Sequence, residues 1–315
     1  MNRKSIIFGI KGITLTSGEK DLLKKEKPWG IILFSRNIRD LLQLKQLIKN
    51  IKKVVNDKNY PILIDQEGGA VSRLNNIIDL SFFSQDFFGK LYISNKKNFI
   101  TYYQIYLEKI CYILKNVGIN INTVPVLDLR RKNTHNILKY RCFSENASIV
   151  SKIGKYCIDF HEKNKIATVI KHIPGHGLAR TDSHYKLPIV KKNKNELTKK
   201  DFITFKNCKS LFAMTAHVVY SHYDPNYSAT HSKIIINDVI RKHIGFKGIL
   251  MSDDISMKAL KYGLIKNAVK SLDAGCNLVL HCNGNIKEMA MLSKVIPKID
   301  KFTQKKTSDF SKFLG

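Results

Sequence analysis

Eight short runs of β-branched and other apolar residues recur along this 315-residue chain, each followed by polar residues and then a lysine-rich amphipathic stretch. They lie at 5–10, 30–34, 61–64, 119–127, 167–170, 211–216, 248–251 and 277–280. Several are apolar at nearly every position, the pattern of strands covered on both faces. Between them, segments such as 41–54 and 265–274 repeat apolar residues at helical spacing. Eight strands alternating with helices predict an α/β fold, a single (β/α)₈ TIM barrel spanning residues 1–315. A doubly wound open sheet is the alternative. The barrel is favoured by where the runs end: at Arg36-Asn37, Asp65, Asp128, Lys171-His172, His217 and Asp253-Asp254. Barrel enzymes distribute their chemistry over the C-terminal ends of several strands, whereas a doubly wound sheet concentrates it at one switch point. A last helical pattern at 286–296 stops at Pro297. The mostly polar remainder, 298–315, is expected to form a short closing helix and a frayed tail.

Composition narrows the function classes. Hydrophobic residues make up 43% and aromatics 10%, enough for a packed core, which excludes a disordered basic tail despite a net charge of +29. Only 9 of the 54 cationic residues are Arg; the other 45 are Lys, spread along the whole chain beside 25 Asn. Nucleic-acid sites favour clustered Arg for bidentate contacts. The charge therefore reads as compositional drift rather than a footprint for polyanions, and no specific nucleic-acid partner is expected. The six cysteines form no C-x-x-C pair and read as reduced thiols. No run approaches the roughly 18 apolar residues of a membrane helix, so no membrane insertion is expected. No apolar h-region of about 7 residues follows the basic Met1-Asn2-Arg3-Lys4, and the expected address is the cytoplasm.

Three segments carry chemistry. In the first, Asp65 ends a strand before Gly68-Gly69, and the glycines let the chain turn back so that Arg73 approaches Asp65. An acceptor beside a donor clamps the vicinal hydroxyls of a sugar; a structural ion pair at the rim is the competing reading. Asp65 and Glu67 argue against a phosphate cradle. The second segment, 171–184, holds His172, His176, His184 and Asp182. Pro174, Gly175 and Gly177 disfavour the helix a metal site would need and suggest a mobile catalytic loop. Asp182 is two residues from His184, close enough for its carboxylate to orient the imidazole for proton transfer. An acid/base dyad, metal ligation and structural histidines all remain open for this segment. In the third, Asp253 and Asp254 follow a strand, and alternation lets one of them face the barrel mouth. A carboxylate nucleophile with a separate acid/base is the logic of retaining glycoside cleavage. Capping the next helix suits Asp254 better than Asp253. Arg141 and His217 are rim candidates without a specific pattern.

Taken together, IDQEGGAVSRL (64–74), RCFS (141–144), KHIPGHG (171–177), TDSH (181–184), MTAHVVY (214–220) and GFKGILMSDDISM (245–257) resemble the bacterial β-N-acetylhexosaminidases of glycoside hydrolase family 3. The motifs occur in family order and span nearly the whole chain. The resemblance implies a TIM barrel that removes terminal β-linked N-acetylglucosamine with retention. It implies Asp253 as the nucleophile, His184 as the acid/base and Asp182 as its orienting partner. Asp65, Arg73, Arg141, Lys171 and His172 would bind the sugar. The implied substrate is a GlcNAc–anhydromuramyl-peptide of cell-wall recycling, with no metal, no organic cofactor and a monomeric enzyme. Ala70 and Cys142 depart from the commoner family residues Arg and Ser, at the margin of the site. Longer members add a second domain, for which this length leaves no room.

Overall fold

The computed structural model describes residues 2–179, 181 and 186–315. Its strands are β1 (Lys4–Gly9), β2 (Pro28–Leu33), β3 (Ile62–Ile64), β4 (Ile121–Asn122), β5 (Ala167–Ile173), β6 (Ile189–Val190), β7 (Phe212–Thr215), β8 (Val219–Tyr220), β9 (Ile249–Asp254) and β10 (Leu278–His281). Eight of them close into a barrel in the order β1-β2-β3-β4-β5-β7-β9-β10, every neighbouring pair parallel. All eight predicted runs contribute a strand, and closure rules out the open sheet. The remaining pair, β6 and β8, forms a small parallel sheet of its own.

Alternation along the strands sorts the core into two layers. Ile7, Ile32, Leu63, Ile121, Val169, Met214, Met251 and Leu280 fill the lumen. Their neighbours Ile6, Phe8, Ile31, Ile64, Ile170, Ala213, Leu250 and Val279 point outward under the helices. The helices present matching stripes. In Leu41–Val55 the buried residues are Leu44, Leu47, Ile48 and Ile51, at i, i+3, i+4 and i+7, and Asp40 caps the start by accepting the Gln43 N–H at 2.8 Å.

The C-terminal segment differs from expectation. It is a 14-residue helix, Lys301–Leu314, that continues almost to the last residue and is capped by Asp300. Its polar sequence hides one anchoring face. Phe310 is fully buried and meets Phe212 edge-on at 5.4 Å, Phe212 meets Trp29 at 5.5 Å, and the Trp29 indole N–H donates to Thr307 Oγ1 at 2.8 Å. This stack seals the end of the lumen from which the strands start. The opposite end stays open.

Candidate active site

Strand parity decides what stands at the open end. Leu63, Ile121, Val169 and Met251 face the lumen, so Asp65, Thr123, Lys171 and Asp253, each two residues further on, keep the same side. β3, β4 and β5 are neighbours, which brings Asp65, Thr123 and Lys171 together. The Lys171 ammonium donates to Asp65 Oδ1 and to Thr123 Oγ1 at 3.0 Å, and forms an ion pair with Glu67 Oε1 at 2.6 Å.

The double glycine acts as the sequence suggested. Gly68 and Gly69 have φ of +92° and +60°, and a Cβ on Gly68 would lie 2.2 Å from the Phe83 carbonyl oxygen. Gln66 Oε1 accepts the N–H groups of Arg73 and Leu74 at 2.8 and 3.1 Å and pins the returning limb. Arg73 Nη2 then reaches Asp65 Oδ2 at 2.9 Å. Glu67, which sequence reasoning considered only as a repulsive charge, is the hub of the other half. Arg141 grips it with Nε and Nη2, each at 2.7 Å. Burial alone would raise both carboxyls. For Asp65, Lys171, Arg73 and Arg141 outweigh it and hold the acid well below the usual range; for Glu67, Arg141 and Lys171 outweigh it and lower the acid.

Asp128 is a second residue that sequence reasoning noted only as a strand-end group. It is fully buried; its Oδ2 lies 2.7 Å from His172 Nδ1, and its Oδ1 accepts the backbone N–H of His172 at 3.2 Å and of His176 at 2.6 Å. Burial pushes its carboxyl up, and His172 together with His176 more than offsets that, leaving it depressed. Burial, helped by His172, pushes His176 down to about 4, so its imidazole is neutral at pH 7.

The glycines of residues 171–179 serve both turning and packing: Gly175 has φ of +142°, where side chains are strained. A Cβ on Gly177 would come within 1.8 Å of the Leu129 carbonyl oxygen, so this glycine permits close packing. Thr134 Oγ1 donates to the Gly177 carbonyl at 2.7 Å, His135 N–H to that of Ala179 at 3.1 Å, and the Tyr220 hydroxyl to that of Gly175. His184 and Asp182 lie outside the described residues.

At the end of β9, Asp253 and Asp254 both reach the cavity, but their contacts differ. Asp254 accepts Ser256 Oγ at 2.7 Å, Ser256 N–H at 3.1 Å and Cys282 N–H at 3.3 Å. It therefore caps the turn after the strand, not the next helix, whose N-cap is Gly263. Asp253 Oδ1 accepts the Asp254 N–H at 2.8 Å. Burial raises its carboxyl, and His217, His172, the Asp254 N–H and Lys171 together bring it below the usual range. His217 is fully buried beside it, with Nδ1 2.7 Å from Thr230 Oγ1 and Nε2 3.0 Å from the Asp254 carbonyl; burial lowers its pKa.

These groups converge on one cavity of about 310 Å³ whose walls include Asp65, Arg73, Arg141, Lys171, His172 and Asp253, over an apolar base of Ile32, Met214 and Leu280. That is near the lower bound of small-molecule clefts, roughly 300–1,000 Å³. Among the described residues, no group of three His, Cys, Asp or Glu side chains could hold a metal ion.

Residues 9–309 match the N-terminal domain of glycosyl hydrolase family 3. The chain belongs to this family. Among curated members, the β-hexosaminidase of Psychromonas ingrahamii is 30% identical over 301 residues, covering 93% of this chain and 86% of that protein. The β-hexosaminidase of Haemophilus influenzae is 31% identical over 287 residues, covering 89% and 79%. Among solved structures, NagZ from Neisseria gonorrhoeae in complex with N-trifluoroacetyl-D-glucosamine superposes with a TM-score of 0.87 at 29% identity, covering 98% of this chain and 90% of that one. This family 3 protein is a glycoside hydrolase of the β-N-acetylhexosaminidase type.

Proposed function

We propose that the protein is a retaining exo-β-N-acetylglucosaminidase that works through a glycosyl–Asp253 intermediate. The observation that carries this reading is the depressed, lumen-facing Asp253 in a cavity whose opposite wall is the Asp65–Arg73–Lys171–Glu67–Arg141 network. An ionised carboxylate can attack the anomeric carbon, and a cavity of about 310 Å³ suits one sugar ring rather than a chain, hence cleavage at an end. Asp65 and Arg73 would hold the ring hydroxyls, with His172 and Arg141 beside them in the cavity wall. Lys171, buried and paired with both Asp65 and Glu67, would act by keeping Asp65 ionised and fixed.

In this reading His184, oriented by Asp182, protonates the leaving oxygen as Asp253 attacks. It then takes a proton from the water that releases the sugar and regenerates Asp253. An imidazole in this role departs from the usual pair of carboxylates. The substrate would be a GlcNAc–1,6-anhydromuramyl-peptide of peptidoglycan recycling, handled by a cytoplasmic monomer. The NagZ structure with a glucosamine derivative supports the glycon, and among the described residues no helix is long and apolar enough to cross a membrane.

Incubating the protein with an aryl β-GlcNAc, with and without inorganic phosphate, tests the reaction. Free GlcNAc in both conditions is expected; GlcNAc-1-phosphate appearing with phosphate would replace hydrolysis by phosphorolysis. His184→Ala should lose far more activity on alkyl than on nitrophenyl glycosides, whose leaving groups need little protonation. Equal losses on both would remove His184 from the acid role.

A further inference from the structure

We infer that Asp128 is a positioning residue that links the sugar-binding wall of the site to the root of the segment carrying the acid/base. The inference rests on the glycosidase reading above. Asp128 is fully buried and carries no direct contact to the cavity, yet its two oxygens reach two functional parts at once. Oδ2 faces His172 Nδ1 at 2.7 Å, and Oδ1 holds the N–H groups of His172 and His176 at 3.2 and 2.6 Å.

The first contact fixes a tautomer. A carboxylate only accepts, so Nδ1 of His172 carries the proton. Nε2 then presents its lone pair on the side of the ring 3.4 Å from Arg141 Nη2, at the cavity wall. An imidazole set in this way accepts the proton of a sugar hydroxyl while Arg141 donates beside it. The second contact fixes a backbone. His176 N–H is tied to Asp128, and the residues that follow are held by Thr134 and His135, which belong to the same connection after β4 as Asp128 and Arg141. One connection therefore supplies a sugar ligand, the orienter of a second one, and the anchors of residues 176–179. Asp182 and His184 begin three and five residues after the last anchored position.

No neutral substitute preserves all three bonds. In Asp128→Asn the amide oxygen can keep both backbone N–H groups only if its NH₂ faces His172, which forces the proton from Nδ1 to Nε2. Turning the amide over keeps His172 but sets the NH₂ against two N–H donors. The chain should still fold, because the side chain keeps its volume.

The experiment compares wild type with Asp128→Asn, and both in a His172→Ala background. Selective ¹⁵N labelling of histidine reads the His172 ring directly: Nδ1-protonated in wild type, and shifted to Nε2-protonated in Asp128→Asn. With melting temperature held, kcat/KM for aryl β-GlcNAc is expected to fall roughly 10²-fold. Two signatures separate positioning from bulk structure. Wild type should lose activity on the monodeoxy aryl glycoside lacking the hydroxyl opposite His172, and Asp128→Asn should no longer discriminate against it. In the His172→Ala background that glycon effect of Asp128→Asn should vanish, while its larger loss on alkyl than on nitrophenyl glycosides persists.

An unchanged His172 ring in Asp128→Asn would overturn the inference, as would losses equal across all substrates. If the ring tautomer responds as expected but wild type hydrolyses no β-GlcNAc, the positioning stands and the glycosidase reading fails.

Discussion

The two ends of the barrel solve opposite problems with the same strands. At the closed end, Trp29, Phe212 and Phe310 stack into a plug with one polar group, the indole N–H, and that group is satisfied by Thr307. At the open end, the corresponding lumen positions are Asp65, Thr123, Lys171 and Asp253, with Arg141 in the same wall, and behind them Glu67 and Asp128 are buried as charges. Apolar burial stabilises without direction, whereas each buried charge must be matched by named partners or the site collapses. The comparison teaches that fold stability is concentrated in the plug and chemical competence at the mouth, so substitutions at the two ends should separate the two properties.

The largest separation is expected at Asp253. Asp253→Ala should lower kcat/KM by roughly 10⁴-fold or more while the melting temperature stays level or rises, because a buried carboxylate is removed. Calorimetry beside aryl-glycoside kinetics checks both halves, and a destabilised but active variant would break the comparison. Phe310→Ala should do the reverse. A large aromatic deleted from a filled site costs about 3–5 kcal/mol, read by denaturant unfolding, with kcat per folded molecule unchanged.

A smaller effect comes from pH. Burial holds His161 and His176 at about 4, below the ordinary 6.5. Both are neutral when folded, while the unfolded chain takes up protons as the pH drops through 6.5. Stability is thus fully present above pH 6.5 and lost between there and 4, at about 1.4 kcal/mol per pH unit for each histidine. Unfolding curves at pH 7, 6 and 5 measure the slope; a flat profile would place these rings in solvent. The smallest effect concerns the net charge of +29. Turnover of a neutral aryl glycoside should be nearly unchanged from low to moderate salt, because the mouth pairs its charges internally and the surface lysines are screened. A steep salt dependence would give that charge a role in the reaction.

Much of this division is legible in the sequence. The eight apolar runs define the barrel, and period-two alternation carries the lumen face from Met251 to Asp253 and from Leu63 to Asp65. Local turn chemistry also suffices for the Arg73–Asp65 contact, because the two glycines and the return lie within nine residues. Long-range partners were harder to read. Glu67 meets Arg141 across 74 residues and Asp128 meets His172 across 44, and no local pattern connects either pair. The only signal for them was an acid close to a run's end. The closing helix was underestimated because its anchoring face is small: Thr303, Thr307 and Phe310 are its buried residues, in a sequence otherwise rich in Lys and Ser. Gly177 meets a steric requirement that no local pattern announces, because Leu129, which sets it, belongs to another connection.

The central claim is that the mouth delivers a glycosyl group to Asp253. The most direct measurement is peptide mapping of the protein quenched during turnover of a slow, fluorinated aryl β-GlcNAc analogue. The account predicts one N-acetylhexosaminyl-type adduct, on the peptide containing Asp253 and at that carboxyl. An adduct on any other residue, or steady turnover with none formed, would contradict it.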